Sequence, residues 1–341
     1  MGRRVLIARL DSNGDVLLAG PAIRAVAASG AHVTLLVGPL GLAAAELLPG
    51  VDEIISYRAE WIDPEPLAVS PDRTLALVEQ LRAGAFDEAL ILVSFHQSPL
   101  PLALLLRLAG VPRIGAVCDD YPGSLLDVRH GITGELHEAE RGVSLAEACG
   151  YRLDPDDDGR LEVRRSADVE RPFPGSYVVV HPGASVPARA WEPDDAAALV
   201  QLLVADGLDV LVTGGIAERE LCAYVAGPPH AQVRNVAGET DMAELAELIG
   251  MADAIVVGNT GPAHLAAAVG TPVVSIYALT VPPVRWRPWA VPHELLFHDV
   301  PCAGCRARVC PVPGHPCVGK VSPAQALAAV RRLSERVGAP A

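Results

Sequence analysis

Lysine is nearly missing from this chain: Lys320 is the single lysine among 27 basic residues. Cationic tasks must therefore fall to arginine, whose planar fork meets carboxylate or phosphate in a fixed geometry. Acidic residues number 41, for a net charge of −14. This balance argues against nucleic acid and against firm electrostatic docking on anionic membrane, both of which need a basic face. Transient contact with a membrane surface stays open. Apolar runs near eighteen residues are also lacking. The best stretch, residues 100–111, is short and carries Arg107, so no transmembrane helix is expected. Met1-Gly2-Arg3-Arg4 leads straight into the apolar residues 5–8 and a polar turn, without the features of a signal peptide, and the expected location is cytoplasmic. Two ligand motifs are missing as well. The loop after residues 5–8 has only Gly14, where a dinucleotide turn needs three glycines at G-x-G-x-x-G. A D-x-D metal motif is absent from the loops at strand ends, since Asp156-Asp157-Asp158 falls in a linker-like segment.

What is present is a chain of 341 residues, half of them apolar, enough to bury a large core and to divide into two domains. Short β-rich runs (5–8, 32–37, 53–57, 89–93) alternate with amphipathic stretches (23–28, 42–48, 74–82), the pattern of a parallel sheet with helices on both faces. The composition turns charged and Pro/Gly-rich at 154–159 and again at 171–175, a linker signature. The alternation then restarts, with strands expected at 177–180, 208–213, 254–257 and 273–277 and a closing helix at about 323–337. The expectation is an α/β protein of two doubly wound, Rossmann-like domains, residues 1–165 and 166–341, with strand-end loops aimed at a shared cleft.

Chemistry concentrates in four such loops. Gly258-Asn259-Thr260-Gly261-Pro262-Ala263-His264 follows a strand and opens a helix, which leaves N–H groups and the positive helix end facing one spot where diphosphate can dock. An ordinary turn with proline at the first helical position is the alternative. His181-Pro182-Gly183-Ala184-Ser185, followed by Arg189, suits an anion that needs backbone donors and one fixed cation, although a solvated arginine would look the same. Thr213-Gly214-Gly215 precedes Glu218, which can accept from ribose hydroxyls or simply favour the helix dipole. The first loop sets Asp11 and Asp15 beside the cleft; Asp15 is a general base or a helix N-cap. Asn13 and the segment Ser94-Phe95-His96-Gln97-Ser98 are expected on the acceptor half, with His96 alternatively a core histidine.

Taken together, Gly14-Asp15-Val16 with Gly20-Pro21-Ala22, His181-Pro182-Gly183-Ala184-Ser185, Arg189-Ala190-Trp191, Thr213-Gly214-Gly215, and Asn259 to Ala268 with Gly270-Thr271-Pro272 resemble glycosyltransferase family 9 in its own order, across residues 3–335. The resemblance implies a GT-B architecture whose N-terminal domain binds the acceptor and whose C-terminal domain binds a nucleotide-diphosphate sugar. It implies an inverting transferase that moves heptose from ADP-heptose to a glycan or lipopolysaccharide-core acceptor and requires no cofactor. Asp15 matches the catalytic base. Ser185, Arg189, Thr213, Gly214, Glu218, Thr260, Gly261, Ala263 and His264 match the donor side. Arg189 stands where the family commonly has lysine, and Asn259 where it often has aspartate. A sugar-nucleotide epimerase of the same architecture, or a non-catalytic nucleotide-sugar-binding protein, are the competing functions; a base at Asp15 favours transfer over both.

Cys302-x2-Cys305-x4-Cys310-x6-Cys317 places four thiols in one Pro/Gly-rich loop, near the spacing of a structural zinc or iron–sulfur site. Reduced, packed cysteines or a Cys302–Cys305 disulfide are the alternatives. Four protein ligands would leave no open position, so a metal there would staple the loop rather than catalyse.

Overall fold

The computed structural model describes residues 2–165 and 168–338. The chain forms two compact units that divide between Arg164 and Arg165. Ser166, where the second domain was expected to begin, lies outside the described residues.

The first unit holds six parallel strands: β1 (Arg4–Arg9), β2 (His32–Val37), β3 (Glu53–Ser56), β4 (Glu88–Ile91), β5 (Ile114–Val117) and β6 (Val128–His130), in the order β3-β2-β1-β4-β5-β6. The second repeats the design with β7 (Tyr177–His181), β8 (Asp209–Val212), β9 (Val233–Asn235), β10 (Ala254–Gly258), β11 (Val273–Ile276) and β12 (His293–Leu296), ordered β12-β11-β10-β7-β8-β9. Each sheet thus has the Rossmann order, with the direction of winding reversing between its first and fourth strands. The central strands are apolar almost throughout because helices cover both faces: Val5, Leu6 and Ile7 in β1 and Val178 and Val179 in β7 are fully buried. Register is regular, Val5 to Ala8 pairing Glu88 to Ile91 and Ala254 to Val257 pairing Val178 to His181.

The short strands β5, β6, β9 and β12 were not foreseen. β6 and β9 are three-residue edge strands with charged and polar residues, and β5 contains Gly115, so none carries a long β-branched run. The helical run expected after β1 is broken in two, Asn13–Leu18 and Gly20–Ala27, at Gly20-Pro21. The proline cannot donate to the preceding turn and begins the second helix instead. The closing helix runs Pro323–Gly338. The charged segment at 154–159 is not a free linker. Asp157 accepts two bonds from Arg24 (2.6 and 2.8 Å), and the Arg164 N–H donates to the Leu47 carbonyl (2.7 Å), which fastens this stretch to the first unit. Among the described residues, no helix is long and apolar enough to cross a membrane.

A buried carboxylate ties together the amino-terminal side of the first sheet. Glu88, fully buried, accepts from Arg113 (2.7 Å), Arg3 (2.8 Å) and the Tyr151 hydroxyl (2.6 Å). Glu88→Gln replaces one acceptor oxygen with a donor facing donors, and should lower stability by about 1–3 kcal/mol. Denaturant titration checks this, and an unchanged midpoint would refute it.

Candidate functional site

In open parallel sheets, ligands bind beyond the carboxyl ends of the strands, where the winding reverses. In the first unit that place is the end of β1 and β4, and it is built around Arg9. This guanidinium, the last residue of β1, is buried. Its Nε meets Asp11 Oδ2 at 2.9 Å, Nη2 meets Asp15 Oδ1 at 3.0 Å and donates to Ser94 Oγ at 2.8 Å, and Nη1 reaches Glu138 Oε2 at 3.5 Å. Burial works to lower the Arg9 pKa, yet Asp11, Asp15 and Glu138 together hold it above its usual value. Asp11 shows the converse. Burial pushes its carboxyl up to about 6, with Arg9 opposing and Asp15 adding to the rise.

Asp15 is not the N-cap. Ser12 holds that position, and Asp15 lies in the first helical turn, where the dipole favours an acid. One carboxylate oxygen is held by Arg9 and the other accepts from the Ser12 hydroxyl (3.1 Å), leaving the group part-exposed. The segment after β4 joins this cluster through Ser94 and through Gln97, whose side chain donates to Asp11. His96, by contrast, is exposed beside Phe95 and is not a core histidine. Asn13 turns its carbonyl oxygen to the Ala44 N–H (3.1 Å), fastening the next loop.

The corresponding place in the second unit is the end of β7 and β10. His181 closes β7, and its Nδ1 lies 3.0 Å from the hydroxyl of Thr213, which is itself fully buried. The Thr213 side chain thus offers no exposed surface of its own. Burial lowers the His181 pKa while nearby Glu218 opposes, so the imidazole is held neutral. Glu218 accepts from the Gly215 N–H (2.7 Å) and crowds Gly183, where a Cβ would come within 1.9 Å of Glu218 Oε1, so a larger residue there would displace the carboxylate. Gly214 follows Thr213 at the same strand end.

Arg189 ends a short turn, Pro187–Arg189, which packs so closely on β10 that a Cβ at Gly258 would lie 2.8 Å from the Arg189 carbonyl. Its Nε is buried without a protein partner, as is the hydroxyl of Thr260, the N-cap of the Gly261–Val269 helix. These orphaned donors sit at the same strand end as the helix N-terminus, as an anion site requires. The N–H of Ala263, which the resemblance places on the donor side, bonds the Thr260 carbonyl (3.1 Å). His264 is buried in the helix, and Ser185 is exposed on the loop. Asn259 has a role the sequence did not reveal: its amide donates to the Ala278 carbonyl (3.2 Å) and accepts from the Ala278 N–H (3.1 Å), clasping β10 to the end of β11. An aspartate could not make both bonds.

Cys302, Cys305, Cys310 and Cys317 line one pocket together with Ala188 and Thr280. All seven cysteines are free thiols, so the Cys302–Cys305 disulfide is not formed. Among the described residues, no three or more His, Cys, Asp or Glu side chains are disposed to hold a metal ion. The loop nevertheless abuts the donor-side turn, the Ala188 N–H donating to the Arg308 carbonyl (2.9 Å).

Two Rossmann-like units, each with a six-stranded parallel sheet, make up the GT-B architecture. Residues 74–315 match glycosyltransferase family 9 (heptosyltransferase), and the chain belongs to that family. It is similar to lipopolysaccharide heptosyltransferase 3 of Escherichia coli, 32% identical over 118 residues, which are 34% of each chain. The chain matches about a third to a half of the length of such curated relatives. The fold is similar to the structure of E. coli ADP-heptose lps heptosyltransferase II (TM-score 0.74, 20% identity, 98% of this chain and 100% of that one). It is also similar to glycosyl transferase family 9 from Veillonella parvula DSM 2008 (TM-score 0.79, 16% identity, 98% of both).

With its folded pKa below the usual 6.5, His181 contributes stability above that pH which is lost as pH falls through it, because the unfolded chain takes the proton first. The thermal midpoint should therefore drop more between pH 7 and pH 5 in the wild type than in His181→Gln. Equal drops would contradict the assignment.

Proposed function

We propose that this protein is an inverting glycosyltransferase that moves a heptose from ADP-heptose to a glycan or lipopolysaccharide-type acceptor. The observation that carries the reading is the held carboxylate of Asp15 at the first switch point, in a chain of the heptosyltransferase family. In this reading the first unit serves the acceptor, with Asn13 and His96 on its rim, and the second serves the donor. The Asp15 carboxylate takes the proton of an acceptor hydroxyl as that oxygen attacks the anomeric carbon. The bond from that carbon to the diphosphate oxygen breaks on the opposite face, and ADP leaves. A well-placed base of this kind is worth about 10²–10⁴-fold.

The negative charge that grows on the departing diphosphate needs preorganised donors. Arg189, Thr260, the Gly261 N–H and the dipole of the Gly261–Val269 helix are proposed to supply them, with Ser185, Gly214, Ala263 and His264 shaping the cradle. Glu218, steadied by Gly215 and facing His181, is proposed for the ribose hydroxyls, and Thr213 supports it through His181. With charge neutralisation assigned to these groups, transfer is proposed to need no added metal. A structural zinc or iron–sulfur group on Cys302, Cys305, Cys310 and Cys317 is proposed only as a fastener. The four thiols share a pocket without being grouped to hold an ion, and no step of the reaction runs through them.

Assays with ADP-heptose and a lipopolysaccharide-core glycan, read beside ADP calorimetry, test the division of labour. Asp15→Asn should lose about 10²–10⁴-fold in transfer while keeping ADP affinity within about twofold. Arg189→Ala should weaken ADP by about 10–100-fold, the worth of a charge-assisted hydrogen bond, and slow transfer as well. Normal turnover by Asp15→Asn would refute the base, and unchanged ADP affinity in Arg189→Ala would refute the cradle.

A further inference from the structure

We propose that Arg9 is the positioning residue of the transfer reaction, a buried guanidinium that pairs with two shielded carboxylates, Asp11 and Glu138, and fixes the third, Asp15. The inference rests on the reading of Asp15 as the base. It starts from an asymmetry among the acids around one guanidinium. The side chains of Glu138 and Asp11 are 1% and 10% exposed, whereas that of Asp15 is 23% exposed. Of the three, Asp15 is the most exposed, and its second oxygen accepts from the Ser12 hydroxyl.

The anchoring comes from four separate parts of the first unit. Arg9 ends β1, Asp11 lies in the loop that follows, Ser94 and Gln97 follow β4, and Glu138 opens the helix Glu138–Ala148. Ser94 receives a bond from Arg9 Nη2 at 2.8 Å, and its own N–H donates to Gln97 Oε1 at 3.0 Å, while the Gln97 amide donates to Asp11. Arg141, one turn along the helix, approaches Glu138 at 3.8 Å and donates to the Val93 carbonyl. His137 caps the same helix through Nδ1. The charged and titratable groups around Arg9 are therefore Asp11, Asp15 and Glu138, with Arg141 and His137 behind Glu138. Rotation of the guanidinium would break bonds to several elements at once.

Stability alone does not account for such an arrangement. Taking a guanidinium and two carboxylates out of water costs several kcal/mol per ion, and apolar packing of the same volume commonly does as well. What the ionic cluster adds is direction: a fork with fixed N–H vectors sets the Asp15 oxygen to a definite place, and misplacement of a reacting group by 1 Å can cost about 100-fold. A lysine ammonium, a single point charge on a flexible stem, cannot hold Asp11, Ser94 and Asp15 on one planar edge.

The test uses the full chain with ADP-heptose and a lipopolysaccharide-core glycan, comparing wild type, Asp15→Asn, Arg9→Lys, Arg9→Ala and Ser94→Ala. Arg9→Lys should lower kcat by about 100-fold or more, with KM for ADP-heptose and Kd for ADP within about twofold. Added guanidinium ion should restore at least about tenfold to Arg9→Ala and nothing to Asp15→Asn, a rescue expected only if the missing fork is what the base needs. Ser94→Ala, which removes one brace and keeps the ion pairs, should lower kcat by several-fold at unchanged KM. A kcat for Arg9→Lys within threefold of wild type, beside an inactive Asp15→Asn, would overturn the positioning role alone. Loss of ADP binding in step with kcat in both Arg9→Lys and Ser94→Ala would overturn it in favour of general destabilisation. Full activity of Asp15→Asn would overturn the base assignment and the positioning role with it.

Discussion

One buried guanidinium organises the first unit. Arg9 is the point at which β1, the Asn13–Leu18 helix, the segment after β4 and the Glu138–Ala148 helix are all tied by hydrogen bonds or ion pairs. Because a charge so deep is tolerable only when it is fully matched, each of these elements is constrained to present its acid or hydroxyl there. The loop after β1 consequently has little freedom. Its two aspartates are sorted by burial, Asp11 shielded and shifted towards its neutral form, Asp15 paired and open to solvent on one side.

The second unit solves a different problem on the same topology. Among the described residues its switch point has no buried acid cluster like that around Arg9. The close approach of the Pro187–Arg189 turn to Gly258, and of Glu218 to Gly183, shows how glycine permits backbone and side chain to crowd around a strand end. Arg189 Nε and the Thr260 hydroxyl are buried there without protein partners, a condition that a bound anion would relieve. The cysteine-rich loop leans on the same turn through Ala188.

Much of this was legible in the sequence, for physical reasons that also mark its limits. Buried parallel strands read as apolar runs, so β1, β2, β7, β10 and β11 stood out, while the three-residue edges β6 and β9 carried no such signal. Strand-to-helix loops with small residues pointed to Asp15, Arg189 and Thr260. The role of Arg9 did not show, because an arginine at a strand end looks like a solvated one until its partners 85 and 129 residues away are seen. An arginine closing an apolar strand and followed two residues later by an acid was the available clue. In the sequence Asn259 stands out only as a departure from the family's aspartate, whereas its amide is a two-way clasp on the Ala278 backbone, visible only once β10 and β11 are paired.

The proposed chemistry assigns nucleotide binding to the second switch point and the base to the first. Hydrogen exchange of the full chain with and without saturating ADP, in EDTA, reads this segment by segment. Protection is expected to be confined to residues 181–190, 213–218 and 258–264, with residues 9–16 unchanged. Protection centred on residues 9–16, or none in 258–264, would contradict that assignment.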